Sequence, residues 1–85
     1  MNVKELIKQL VDDGRLAFHH TAAGLGYVSR RSDGYIHPYK GRFGKGVVVY
    51  RPRWDTTRYF WVDYYIAQDE ETYAQVEAKL TAREE

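Results

Sequence analysis

The chain has no cysteine, only two prolines and one methionine in 85 residues, and no long hydrophobic run. Without cysteine there is no disulfide framework and no thiolate metal site, so a structural zinc finger is excluded and a reducing compartment fits. Nothing approaches the roughly 20 apolar residues of a membrane span. The start Met1-Asn2-Val3-Lys4-Glu5 also lacks the apolar run of a signal peptide. These absences predict a cytoplasmic protein with no membrane partner. Serine is scarce too: Ser29 and Ser32 stand in turn-like or basic contexts, and neither has a nucleophile-elbow sequence.

What is present is sorted along the chain. The region 14–66 holds twelve of the thirteen aromatic residues and nine of the thirteen Lys and Arg, against only Asp33, Asp55 and Asp63. The overall +1 therefore divides into −1 for residues 1–13, +6 for 14–66 and −4 for 67–85. Eight Tyr, two Trp and three Phe give the chain enough apolar surface to offset its ordering entropy, which argues against disorder. Its length predicts one domain, residues 1–85, burying about 60% of its unfolded surface.

Val3, Leu6, Ile7, Leu10 and Val11 recur at i, i+3, i+4, i+7 and i+8, the stripe of an amphipathic helix. Asn2 with Glu5 gives capping-box spacing, and Gly14 is placed to end the helix in a left-handed conformation. Near the other end, Asp69-Glu70-Glu71 puts negative charge at a helix start, and Lys79 and Arg83 put positive charge near its close. Tyr73, Val76 and Leu80 form that helix's inner stripe, and residues 81–85 are expected to fray.

Between the helices the period changes to two, predicting strands over 15–21, 26–31, 34–39, 46–53 and 58–66. Turn signals fall at Ala23-Gly24-Leu25-Gly26, Ser32-Asp33-Gly34, residues 41–46 and Trp54-Asp55-Thr56-Thr57. Asp33-Gly34 suits a tight hairpin because the pair tolerates positive φ. Pro52 cannot donate to a ladder and belongs at a strand end or on an edge. The expected fold is α+β: a single four- or five-stranded antiparallel sheet with an N-terminal and a C-terminal helix on one face. In the last strand Phe60, Val62, Tyr64 and Ile66 share one side and suit a core under the helices. Tyr59, Trp61, Asp63 and Tyr65 share the other, which predicts large aromatic side chains on the open face.

The segment Tyr39-Lys40-Gly41-Arg42-Phe43-Gly44-Lys45-Gly46 combines glycines that let backbone approach a phosphate with the counter-charges Lys40, Arg42 and Lys45. It is neither a Walker loop nor a Rossmann turn, since the glycine spacing fails for both. Gly41-Arg42-Phe43-Gly44 has the GXXG form of KH domains, but between strands rather than helices. His19, His20 and His37 raise the question of metal or base chemistry. Adjacent His19 and His20 on a regular strand point to opposite faces and cannot both meet His37 without a bulge. No metal and no cofactor is expected. A metal-independent ribonuclease using His20 or His37 with Arg42, Arg51 and Tyr50 is the remote catalytic alternative, and the expectation is a protein that is not an enzyme.

The element order resembles the double-stranded-RNA-binding domain, α followed by three strands and α. That family has a basic start to its second helix where this chain has Asp69-Glu70-Glu71, so its binding residues are not carried over. The chain is also similar to short single-domain proteins of bacteriophages and integrative elements, anti-CRISPR proteins among them. The likeness lies in its size, its lack of cysteine, its acidic C-terminal tail and the stretch 39–46, which runs into Val47-Val48-Val49-Tyr50 and Thr56-Thr57-Arg58-Tyr59. This resemblance implies a stoichiometric inhibitor that binds a host nuclease or nucleoprotein complex.

Two classes of function follow. A non-catalytic protein binder would use Arg51, Arg53, Trp54, Arg58, Tyr59 and Trp61 as anchors, since Arg, Trp and Tyr dominate interface hot spots, with Tyr65 a further binding residue on the same strand face. A nucleic-acid-binding module would neutralise phosphates with Arg30, Arg31, Lys40, Arg42, Lys45, Arg51 and Arg53 and stack bases on Tyr or Trp. Homodimerisation through an edge strand is open in either case.

Overall fold

The computed structural model describes residues 2–25, 35–52 and 59–84. The elements in chain order are α1 (Val3–Asp12), β1 (Leu16–Leu25), β2 (Tyr35–Gly41), β3 (Gly44–Pro52), β4 (Tyr59–Ala67) and α2 (Glu70–Glu84). The four strands make one antiparallel sheet in the order β1-β4-β3-β2, so the chain is α+β with a helix at each end. The predicted strand 26–31 and the turns at Ser32-Asp33-Gly34 and Trp54-Asp55-Thr56-Thr57 lie outside the described residues.

Helix α1 forms where its caps and stripe require it. The Asn2 side-chain oxygen accepts from the Glu5 N–H at 2.9 Å, and the Glu5 carboxylate accepts from the Asn2 N–H at 3.0 Å, which satisfies two donors that a helix start leaves open. Gly14 follows the helix with φ +76°. Helix α2 starts under a similar cap, the Asp69 carboxylate accepting from the Thr72 N–H at 2.8 Å. That backbone hydrogen bond holds the Asp69 carboxyl below its ordinary range. Helix α2 runs to Glu84, through the segment from residue 81 that was expected to fray. Thr81 is tied in there, its hydroxyl donating to the Glu77 carbonyl at 3.0 Å.

Val3, Leu6, Ile7 and Leu10 of α1 and Val76 and Leu80 of α2 pack on Leu16, Ile36 and Val47, with Val11, Val49, Tyr65 and Ala67 partly buried around them. Tyr73 of α2 is also buried. The ladder puts Val47 opposite Tyr65 and Val49 opposite Asp63. The helix-side face of β4 is therefore Tyr59, Trp61, Asp63, Tyr65 and Ala67, and the expected orientation is reversed. Phe60, Val62, Tyr64 and Ile66 lie on the side away from the helices. The reason is in β3: Val47 and Val49 are the residues the helices cover, and register carries the odd-numbered residues of β4 with them.

Strand ends also shift from expectation. β1 runs on to Leu25 through the predicted turn, because Ala22, Ala23 and Gly24 stand opposite Val62, Trp61 and Phe60 and leave room for their large side chains. The loop expected over 41–46 is a two-residue turn, Arg42-Phe43, with Gly41 paired to Gly44 and Lys40 to Lys45. Gly44 takes φ +123°, which is open to glycine. Gly46 sits where any Cβ would overlap the Tyr65 carbonyl oxygen. Pro52 is the last residue of β3, as its missing donor requires.

Candidate interaction surface

The sheet is longer than the helices that cover it. A ten-residue helix spans about 15 Å and a nine-residue strand about 30 Å. The helices pack over Leu16, Val47 and Ala67, and among the described residues the large apolar side chains that remain exposed on this face are Phe18 at 55%, beside the helical layer in the row of Tyr65 and Val47, and Trp61 at 36% and Tyr59 at 44%, four and six residues beyond Tyr65 along β4. All three lie on the helix side by register, Phe18 opposite Tyr65, Trp61 opposite Ala23 and Tyr59 opposite Leu25. Phe18 rests edge-on against the Tyr65 ring at 5.6 Å. The result is an aromatic ledge on β1 and β4 beside the helical layer.

Among these rings sits an ion pair. Asp63 is buried, and Arg51 grips it with two hydrogen bonds, Nε to Oδ2 at 2.6 Å and Nη2 to Oδ1 at 2.9 Å. The Thr21 hydroxyl adds a third bond to Oδ1 at 2.6 Å. Burial on its own pushes the Asp63 carboxyl up, but the bonds from Arg51 and Thr21 outweigh it and hold the group below its ordinary value. The same bond to Asp63 raises the Arg51 guanidinium above its usual range. Arg51, expected as a binding anchor, is first of all the counter-ion of a buried carboxylate. The charge of Asp63 within the ledge is thus neutralised by Arg51.

Lys45 is likewise engaged. It lies on the helix side of β3, where its Nζ donates to the Glu70 carboxylate at 2.6 Å and sits 5.8 Å from the centre of the Tyr73 ring. The hydrogen bond to Glu70 raises its pKa. Lys40 is exposed on the edge strand β2. Arg42 lies in the turn, its guanidinium carbon 5.1 Å from the Phe43 ring centre. Of the predicted binding residues, Tyr59 and Trp61 are brought together on the ledge. Tyr65 is partly buried beneath it against the core, and Arg30, Arg31, Arg53, Trp54 and Arg58 lie outside the described residues.

The face away from the helices is a second aromatic layer. A bulge between Phe18 and His20 inserts His19, and this is the irregularity that lets two neighbouring histidines share one side. Their Nδ1 atoms are 2.6 Å apart, one donating and the other accepting. The His20 ring stacks on Tyr64 at 4.5 Å, and Phe43 folds over to meet His19 at 4.6 Å, His20 at 4.9 Å and Tyr64 at 5.9 Å. Tyr39 meets Tyr64 edge-on at 5.2 Å. Farther along, Tyr50 lies 5.6 Å from His37 and 5.3 Å from Phe60. Val48 and Val62 are buried on this same side. These rings therefore work as a roof over valines as well as a surface.

Register separates the residues of the ribonuclease alternative. Arg51 lies on the helix side, whereas His20, His37 and Tyr50 lie on the other. Among the described residues no three His, Asp or Glu side chains converge as a metal site would need, and no described helix is long and apolar enough to cross a membrane. Sequence reasoning passed over Phe18, which alternates regularly with Leu16 but lies on the outer strand of the sheet, where its side chain stays exposed. It also passed over the Phe43 and Tyr64 contacts, which depend on a turn folding back across the sheet. The adjacent pair His19-His20 was the one available sign of irregularity. Compared with protein-family models, with curated proteins and with solved structures, the chain matches none.

Proposed function

We propose that this is a non-catalytic protein-binding domain, acting through the ledge of Phe18, Tyr59 and Trp61. The observation that carries the reading is that, among the described residues, the exposed large apolar side chains all lie on one face of two neighbouring strands, Tyr59 and Trp61 at one end and Phe18 beside the helices. Clustered Trp and Tyr beside Arg are the composition of interface hot spots. Their charge state favours a protein over a polyanion: Arg51 is spent on Asp63 and Lys45 on Glu70, so two of the cations offered for phosphate contact are already paired. Exposed aromatic rings beside an already paired charge gain by desolvation, and a phosphate backbone gains little from them.

The partner class to test first is a host nuclease or RNA-guided nucleoprotein complex, with this protein as stoichiometric inhibitor, as its likeness to anti-defence proteins implies. The test combines two measurements on the full chain. Inhibition of target cleavage by a panel of purified effector complexes should titrate at a fixed stoichiometry. It should be lost in the Phe18→Ser, Trp61→Ala double variant and retained in Lys8→Ala on the exposed side of α1. Equal inhibition by the double variant overturns the ledge as the contact surface. Tight binding of the isolated protein to single- or double-stranded nucleic acid, weakening with salt at a slope of about −0.7 to −0.9 per phosphate contacted, overturns the protein-partner reading altogether.

A further inference from the structure

The two edges of the sheet are built differently. β2 carries Pro38, which lacks an N–H, and Lys40, both exposed and both standard protections against strand-to-strand pairing. β1, the edge among the described residues on the other side, reads Leu16-Ala17-Phe18-His19-His20-Thr21-Ala22-Ala23-Gly24-Leu25: ten residues without one Lys, Arg, Asp, Glu or Pro. Its single protection is the bulge at His19, and from His20 onward the pairing with β4 is regular. A stretch of regular, uncharged backbone on a sheet edge is a template for another strand.

We propose that β1 is a self-association site, at which two copies of the chain join β1 to β1 in antiparallel fashion and make one continuous eight-stranded sheet. The occupant is a second copy because the strand is complementary to itself. An isologous antiparallel pair must align residues of equal parity, so that each face meets its own kind. Centring the twofold axis on Ala22 keeps the pairing inside the regular stretch and clear of the bulge. In that register His20 of one copy faces Gly24 of the other on the side away from the helices, and Thr21 faces Ala23 on the helix side. Large stands against small, and no charge meets charge. The site is separate from the partner reading above, since it is made of backbone rather than of the exposed rings.

Sedimentation velocity across a concentration series, up to about 1 mM as the weak limit of specific association, reads the proposal directly. The wild-type chain should sediment as a dimer at the upper concentrations. Ala22→Lys and Ala22→Glu place like charges directly opposite each other at the axis, so each alone should be monomeric. Their equimolar mixture should recover the dimer. Circular dichroism checks the fold, and if the Ala22 variants unfold, Ala23→Lys, at an exposed position facing Thr21 of the other copy, sets a charge on the pairing edge and should likewise leave a monomer. A wild-type monomer throughout, a dimer indifferent to β1 substitutions, or a charge-swapped mixture that stays monomeric overturns it. None of these outcomes bears on inhibition of a nuclease, so the two readings fail separately.

Discussion

Arg51 was expected on the binding surface, where a substitution usually costs less than about 0.5 kcal/mol; its pairing with Asp63 makes Arg51→Ala a sharp test. Removing the guanidinium takes two hydrogen bonds from a carboxylate whose side chain is only 11% exposed, leaving it the Thr21 hydroxyl. Breaking a fully buried ion pair costs about 3–5 kcal/mol, and losing a hydrogen bond to a charged group about 1.5–3 kcal/mol. Because the Arg51 side chain is 47% exposed, solvent screens part of the loss, and the lower range applies. A destabilisation of about 2 kcal/mol is expected, or a fall in Tm of about 8–16 °C for a domain of this size. The pH dependence has a definite sign. The Asp63 carboxyl is held below its unfolded value, so its contribution is fully present above about pH 4, the unfolded carboxylate value, and is lost as pH falls through the lower folded value. In the variant, burial without Arg51 raises the same group and penalises its charged form. The gap between wild type and variant should therefore be widest near neutrality and close in acid. Urea unfolding of both proteins at pH 7 and near pH 3 measures this. A loss under about 0.5 kcal/mol at pH 7, the ordinary range for a surface substitution, or a gap that does not shrink in acid, refutes the reasoning.

Replacing both partners, Arg51→Met with Asp63→Leu, leaves no charge to strand, so the double variant should lie within about 1 kcal/mol of wild type although Arg51→Ala alone does not. Thermal melts of the single and double variants decide it, and a double variant as unstable as the single one would show that the pair also fixes the strand register. Gly46→Ala should cost about 1–3 kcal/mol through overpacking, because its methyl would overlap the Tyr65 carbonyl oxygen across the β3–β4 ladder. Denaturant midpoints at constant m-value report it, and an unchanged midpoint would mean that the two strands can separate locally at no cost.

The helices and the class of fold were legible because each rests on local signals that agree. Asn2 with Glu5, the stripe from Val3 to Val11, and Gly14 all specify the same helix, and consistency of this kind is what makes a sequence readable. The orientation of the sheet was not legible. β4 has apolar and aromatic residues on both sides, so alternation within it favours neither, and the choice is made by Val47 and Val49 of β3 through pairing across strands. The site was legible in part for the same reason. Tyr59 and Trp61 are exposed as expected, yet on the helix side, where the helices are too short to cover them. Phe18 shares their side through its pairing with Tyr65, two residues from the buried Leu16. Long-range pairing decided each of these features, and a single chain read locally does not contain it.

Charge shows how far segment and surface can differ. Along the sequence the acidic end and the basic middle look like opposed regions, yet the fold lays the start of α2 beside β3 and closes Lys45 onto Glu70. Asp63, one of three acids in the basic middle, takes Arg51. Each pairing removes a cation from the set that a phosphate backbone would see. It also adds fixed geometry to the surface left behind, since a bidentate guanidinium holds its place more firmly than a solvated one. Among the described residues the basic middle of the chain thus presents, around β4, aromatic rings beside cations that are already paired. Paired cations and exposed rings suit contacts made by shape and apolar area, which is the ground on which a protein partner is proposed above.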